Sequence, residues 1–188
     1  MADDKKKKKS GGIGSVIKLL LVLIVVAVVA FVGYGFTLES KPHFERSVVI
    51  KADADDVHEW VGDLKKWDEW GPWRDEDPSI KYTYTDKTDE VDSKMSWTMK
   101  DGKGALWITR TDPKNGVWYK FQWEEYEPTD GYVKYEEQED GNVKVTWAFD
   151  SDVGMNLPMR NAMHFGRDAM EDMFQKGLDK LKKKVEEN

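Results

Sequence analysis

Tryptophan is the residue type of this sequence best suited to hold a ligand, because nine of the 188 residues are tryptophan. A flat indole buries much apolar surface, and its N–H can bind one polar atom of a ligand. The same side chains also fill ordinary protein cores, so each one has this second interpretation. Trp60, Trp67, Trp70 and Trp73 lie in one short segment, and Trp97, Trp123 and Trp147 share one phase of alternating segments.

Methionine is concentrated near the C-terminus, with a smaller group in an alternating segment. Thioether side chains adapt to varied apolar shapes, which suits a cavity that accepts different ligands. An ordinary helix core is an equally good interpretation of the same spacing. The C-terminal group is Met155, Met159, Met163, Met170 and Met173, and the second is Met95 and Met99.

The titratable side chains form no recognisable catalytic or metal-binding motif. His43, His58 and His164 lack the spacing of metal sites, and no serine occupies Gly-x-Ser-x-Gly. The absence of cysteine excludes disulfides and thiolate chemistry. Arg110 falls in the apparent inward phase of its strand, so we interpret it as a candidate polar contact for a ligand. We expect no cofactor and no metal, and we identify no catalytic residue.

Charge divides the chain into two unlike parts. Residues 1–38 contain six lysines and two aspartates, a net of +4, and the whole chain has −7, which leaves −11 for residues 39–188. Such an acidic domain is a poor partner for nucleic acid, because proteins bind nucleic acid largely by neutralising its phosphates with basic side chains. The acidic runs lack the alternating ligands of a calcium loop, and we interpret them as solvated edges.

An uncharged run of 20 residues, Leu19–Leu38, predicts a transmembrane helix of about 30 Å. Because Lys5–Lys9 precede it, the positive-inside rule predicts a cytoplasmic tail over residues 1–18 and a domain on the far side of the membrane. Residues 39–43 are expected to be a linker, and residues 44–188 the domain. A cleaved signal peptide is the alternative, since Val28-Val29-Ala30 offers small residues before a cut.

Apolar spacing predicts the elements that position these side chains. Phe44–Lys51 has the composition of a strand, and Asp53 is a plausible cap of a helix that carries apolar residues at helical spacing. From Ser79 to Asp150 the period is two, and turn signals such as Asp130-Gly131 separate short runs. This pattern predicts an antiparallel meander with one buried face.

The last segment, from about Asn156 to Val185, is predicted to be one long helix, weakened at Gly166 and Gly177. The order is therefore strand, helix, several strands and a long helix. One curved antiparallel sheet with the long helix laid across it would bury both apolar faces. The predicted class is α+β.

Four segments carry a resemblance to a known family: Ser47–Trp73, Lys94–Thr109 (KMSWTMKDGKGALWIT), Lys144–Phe149 (KVTWAF) and Phe174–Lys182 (FQKGLDKLK). They resemble the START-like (SRPBCC) superfamily, in its polyketide cyclase/dehydrase-like branch. The resemblance covers most of residues 44–186 and implies a helix-grip fold, in which a curved antiparallel sheet wraps around a long C-terminal helix. It also implies an apolar cavity for lipids, polyketides, sterols or similar molecules, in a superfamily of which only some members are enzymes.

Residues and resemblance together predict a membrane-anchored module that binds a small hydrophobic ligand, such as a lipid, a quinone or a polyketide-like molecule. Two alternatives remain open: a cyclase/dehydrase-type enzyme that uses the same cavity, and a tethered structural or interaction domain without ligand. The expected partners are the ligand and a bilayer, through residues 19–38, and not nucleic acid. The residues expected to contact the ligand are Trp60, Trp67, Trp70, Met95, Trp97, Met99, Ile108, Arg110, Tyr119, Phe121, Trp123, Trp147, Met159, Met163 and Met170.

Overall fold

The computed structural model describes residues 12–187, so the first eleven residues of the predicted basic tail lie outside the described part. Six helices and seven strands follow in an order that matches the sequence pattern. The helices are α1 (Gly12–Gly35), α2 (Ala54–Val61), α3 (Trp67–Trp70), α4 (Trp73–Glu76), α5 (Leu157–Phe165) and α6 (Arg167–Glu186). The strands are β1 (His43–Ile50), β2 (Lys81–Tyr84), β3 (Lys94–Met99), β4 (Gly102–Asp112), β5 (Gly116–Trp123), β6 (Thr129–Glu137) and β7 (Val143–Asp150).

The strands form one sheet in the order β1-β7-β6-β5-β4-β3-β2, and every neighbouring pair is antiparallel. Alternation places one apolar row of each strand on the inner face, as in Val143, Val145 and Trp147 of β7. Helices α2, α3 and α6 cover this face and bury the core. The arrangement confirms the predicted α+β helix-grip fold.

The predicted turn at Asp130-Gly131 is wrong, because both residues lie inside β6. Gly131 pairs with Tyr119 on one side and with Phe149 on the other. A Cβ atom at Gly131 would lie 2.4 Å from the ring of Tyr119. Glycine serves here to let an aromatic ring lie against a strand, and Asp-Gly alone does not distinguish that use from a turn.

The predicted long C-terminal helix is two helices, which meet at Gly166. Helix α5 begins at a capped end, where the Asn156 side chain accepts a hydrogen bond from the Met159 N–H at 3.1 Å. Helix α6 packs against β1 and β7, whereas α5 packs against the end of α1. The break therefore lets one apolar segment serve two different partners.

Helix α1 begins seven residues before the predicted span and ends three residues earlier than predicted. Its stretch Gly14–Gly35 is long and apolar enough to cross a membrane, a property that a signal sequence would share. The last turns of α1 and the residues directly after it contact α5. The Asn161 side chain donates to the Phe31 carbonyl of α1 at 3.0 Å, and the Arg160 guanidinium donates to the Leu38 carbonyl, three residues beyond the end of α1, at 3.1 Å. This helix is thereby tied to the domain by specific polar contacts.

Candidate functional site

A cavity of about 660 Å³ lies between the inner face of the sheet and the helices α5 and α6. Its volume falls in the range of small-molecule binding pockets. Strands β3 to β7 form one wall, and methionines of the two helices form the other. The lining residues are Trp73, Glu76, Met99, Asp101, Leu106, Tyr119, Phe121, Trp123, Tyr126, Glu127, Thr129, Trp147, Phe149, Ser151, Asp152, Val153, Asn156, Met159, Met163, Met170, Met173 and Phe174.

The sheet wall follows from strand register. Leu106 of β4 lies opposite Phe121 of β5, and Tyr119 lies across the glycine of β6 from Phe149 of β7. Along β5, inward residues run from Tyr119 to Trp123, four residues apart, which spans about 13 Å of strand. The aromatic wall is therefore long enough to contact an extended apolar molecule along its length.

The innermost polar group of this wall is the Tyr119 hydroxyl. It accepts a hydrogen bond from the Trp147 Nε1–H at 2.7 Å, and both rings are almost completely buried. Burial raises the pKa of Tyr119 well above its ordinary value, so the phenol keeps its proton at neutral pH. Among the described residues no acceptor takes that proton, which leaves one donor for a ligand atom.

The helix wall is built from methionines at helical spacing. Met159 and Met163 come from α5, and Met170 and Met173 come from α6. All four are partly exposed, unlike the fully buried leucines further along α6. Unbranched side chains with room around them can adjust to ligands of different shape.

The exposed lining residues mark one edge of the sheet as the mouth. This edge is formed by strand ends: because the sheet is antiparallel, β3, β5 and β7 all end there. Strand β1 begins at the same edge, after the chain leaves α1. Four carboxylates stand at the mouth, and within residues 14–187 no lysine, arginine or histidine lines the cavity. They are Glu76, Asp101, Glu127 and Asp152.

Eight of the fifteen residues expected to contact a ligand line this cavity. They come from β3, β5, β7 and the two C-terminal helices, and their part in binding remains a proposal. The eight residues are Met99, Tyr119, Phe121, Trp123, Trp147, Met159, Met163 and Met170.

Five others lie in the buried core and do not line the cavity. Trp67 and Trp70 are fully buried, and their indole N–H groups already donate to the carbonyls of Val61 and Trp60, at 2.7 Å and 3.2 Å. Such bound indoles complete a core and have no donor left for a ligand. The remaining three are Met95, Trp97 and Ile108, which are buried in the same cluster.

The last two residues lie on the outside. Trp60 is half-buried beneath the ammonium groups of Lys66 and Lys184, which lie 5.0 Å and 5.3 Å from its ring. Arg110 is displaced by a β-bulge after Ile108, so it pairs with Trp118 and stacks on that ring at 4.2 Å. The extra residue of the bulge reverses the phase of the strand, and the arginine side chain is 61% exposed.

Several lining residues were missed, for two different reasons. Trp73, Phe149 and Met173 lie in segments with a clear apolar signal, so the alternation or helical spacing could have identified them. Residues of the connections, such as Tyr126 and Ser151, have no periodic signal, and only the folded chain brings them to the mouth.

Elsewhere in the domain, the titratable side chains form local pairs and no catalytic set. His58 contacts the hydroxyls of Tyr135 and Thr111, each at 3.3 Å, and burial lowers the pKa of this histidine. Over residues 14–187 no three His, Asp or Glu side chains are placed to hold a metal ion. The chemistry available to the cavity is therefore apolar contact, hydrogen bonds from the Tyr119 phenol and a few neutral polar side chains, and carboxylates at the mouth.

Solved structures of low sequence identity share this fold. DynU16, a protein of the dynemicin biosynthetic locus, is 12% identical with a TM-score of 0.55 over 77% of this chain, and the match spans about half (47%) of DynU16. The major latex-like protein 151 of Panax ginseng is 15% identical with a TM-score of 0.52, over 78% of this chain and 99% of that one. A Thermobifida fusca protein is 16% identical with a TM-score of 0.56, over 76% and 92% of the two chains.

Comparison of sequences gives a more specific result than these likenesses, which at such identities show the fold alone. No curated protein matches the chain. A family model described as "Polyketide cyclase / dehydrase and lipid transport" matches residues 41–186, which is most of the chain and includes every strand and helix around the cavity. The match agrees with the START-like resemblance of the four sequence segments. The chain therefore belongs to the polyketide cyclase/dehydrase and lipid transport family.

Proposed function

We propose that this protein is a membrane-anchored module that binds one small hydrophobic ligand in the cavity beneath its sheet. The single observation that carries the proposal is an apolar space of about 660 Å³ inside an otherwise closely packed domain. Protein interiors rarely leave such a space empty. A ligand that fills it removes its own apolar surface from water, and this supplies most of the binding free energy.

The position of the mouth supports a bilayer as the source of the ligand. The mouth lies at the sheet edge where the chain passes from α1 into β1, and α5 contributes to both the cavity wall and the contacts with α1. If α1 crosses a membrane, the mouth lies near the surface of that membrane. Hydrophobic ligands partition into bilayers, so a short path would limit their exposure to water.

An enzyme of the cyclase/dehydrase type is the second candidate, and the Tyr119 phenol is the observation that favours it. A protonated phenol inside an apolar site can donate a proton or a hydrogen bond to a carbonyl oxygen. The four lining carboxylates lie at the mouth, beyond the ends of the strands, so within the described residues the interior lacks a second ionisable group. For this reason we place binding ahead of catalysis.

The proposal is tested by photolabelling the full chain in lipid nanodiscs with an uncharged probe, dodecanol that carries an alkyl diazirine. Peptide mapping should find label on the cavity wall, at β5 and α5, as well as on α1. Label on α1 reports the probe dissolved in the bilayer and serves as an internal reference.

A larger side chain in the cavity should remove only the label on its wall. Met163→Trp fills the space from α5, so labelling of β5 should fall while labelling of α1 persists. Met170→Trp fills it from α6 and guards against a folding defect in either variant. If β5 is never labelled above unrelated surface strands, the binding function is excluded.

A further inference from the structure

We infer that the ligand of this cavity carries a positive charge at one end of its apolar body. This inference rests on the proposed binding function and adds the chemical class of the ligand. The site is the apolar cavity, and the charges around its mouth select the group that remains outside when the apolar part is buried.

The four mouth carboxylates are not equally neutralised. Glu76 lies 3.5 Å from the Lys176 ammonium, and Asp152 lies 3.2 Å from that of Lys41. Asp101 and Glu127 form no ion pair with any described residue. Two uncompensated negative charges therefore stand at the entrance, and they repel an anionic group and attract a cationic one.

The two basic residues nearest to Asp101 in the chain do not form an ion pair with it. Lys103 lies two residues after Asp101, at the start of β4, but its ammonium is bound to Glu125 at 3.1 Å. Lys100 precedes Asp101, and its side chain does not line the cavity. A fatty acid or a phosphate ester would bring its own negative charge to this entrance without a basic side chain in the wall to receive it.

Aromatic rings at the mouth offer a second attraction for a cation. Trp123 and Trp73 are partly exposed at the rim, and Tyr126 is 57% exposed beside Glu127. The faces of such rings attract ammonium groups, and aromatic residues combined with carboxylates form the usual environment of alkylated ammonium ions. The wall below them is apolar, which suits a hydrocarbon tail. Together these features favour a cationic amphiphile over a neutral or an anionic one.

The test compares three photoprobes that share one diazirine-bearing dodecyl chain and differ only in the head group. The heads are trimethylammonium, hydroxyl and carboxylate, and the full chain is held in nanodiscs of zwitterionic lipid. For each probe, cavity labelling at β5 is divided by labelling of α1, which corrects for unequal partition into the bilayer. The ratio should be on the order of 10-fold higher for trimethylammonium than for carboxylate, as expected for two close opposite charges near a surface.

Substitutions at the mouth assign the effect. The double variant Asp101→Asn, Glu127→Gln should reduce the preference to within about 2-fold, and higher salt should weaken it in the wild type. Glu139→Gln, a matched loss of one exposed charge in the β6–β7 connection, should leave the preference unchanged. Equal cavity labelling by all three probes, or a preference for carboxylate, overturns the charge inference and leaves the binding function standing. Absence of cavity labelling by every probe overturns the binding function itself.

Discussion

The space between sheet and helices has two halves that use different side chains. Beneath the second half of α6 the space is solid: Leu178 and Leu181 have no exposed surface, and Trp67 and Trp70 pack edge to face around Trp147. Beneath α5 and the first half of α6 the space is open and lined by methionines. The solid half uses branched and aromatic residues with fixed shapes, whereas the open half uses residues that tolerate a change of contents.

Trp147 separates the two halves. Its ring stacks on Phe174 with centroids 4.6 Å apart, and its indole N–H is bound to Tyr119. Directly beyond it, α6 approaches the sheet closely at Gly177, where a Cβ atom would lie 2.6 Å from the Trp147 ring. The close approach of a helix to a sheet in one half, and its greater distance in the other, can therefore leave a cavity between them.

The largest difference in stability is expected between substitutions at two residues of α6. Leu178→Ala should reduce the free energy of unfolding by about 2–5 kcal/mol, because it opens a cavity in the solid half. Met170→Ala should cost less than about 1 kcal/mol, because Met170 is partly exposed beside a space that already exists. Denaturant unfolding of the full chain in nanodiscs, followed by near-UV circular dichroism, measures both. Equal losses would show that the open half is closed in solution.

At the boundary between the two halves, Tyr119→Phe should reduce the free energy of unfolding by about 1–3 kcal/mol, because the buried Trp147 N–H loses its acceptor. The stability lost in Tyr119→Phe should also depend on pH. Burial raises the pKa of Tyr119, so the folded state keeps a proton that the unfolded state releases above about pH 10. The stability that the protonated phenol contributes is fully present below about pH 10 and is lost as the pH rises further.

The stability difference between wild type and Tyr119→Phe should therefore shrink above about pH 10. Denaturant unfolding at pH 8 and at pH 11 measures the change. Tyr126→Phe is the matched control, since Tyr126 is exposed and should show almost no difference at either pH. A difference that stays constant with pH would contradict the assignment of the buried phenol.

Gly177→Ala tests the close approach of α6. A methyl group there meets the rigid ring of Trp147, and we expect a loss of about 1–3 kcal/mol despite the higher helix propensity of alanine. Lys183→Ala, at an exposed position of the same helix, should change stability by less than about 0.5 kcal/mol. A stabilised Gly177→Ala variant would mean that α6 can move away from the sheet at little cost.

The smallest effect is expected at Arg110. Its guanidinium stacks on Trp118 outside the sheet, so Arg110→Ala should cost less than about 1 kcal/mol and leave cavity photolabelling unchanged. The full chain in nanodiscs, labelled with the dodecanol probe, checks both points. Loss of cavity labelling in this variant would indicate that the bulge does not persist and that the arginine turns inward.

The inward face of most strands follows from the order of their residues alone. A period of two placed Met99, Phe121 and Trp123 on one side of the sheet, and β-branched composition with short turns predicted the antiparallel order. The length and apolar character of α1 were equally evident from the sequence. These properties are local, since each depends on the geometry of a few consecutive residues.

Which inward residues line the cavity, in contrast, depends on how the whole chain folds. Trp97 and Trp123 have the same phase, yet Trp97 lies in the solid core and Trp123 lines the cavity. The single extra residue before Arg110 reversed which side chains of that strand point inward. The break at Gly166 allows α5 to pack against α1, whereas α6 packs against the sheet. The physical reason is that periodicity fixes the direction of a side chain, whereas the distance to the covering helix depends on the path of the whole chain.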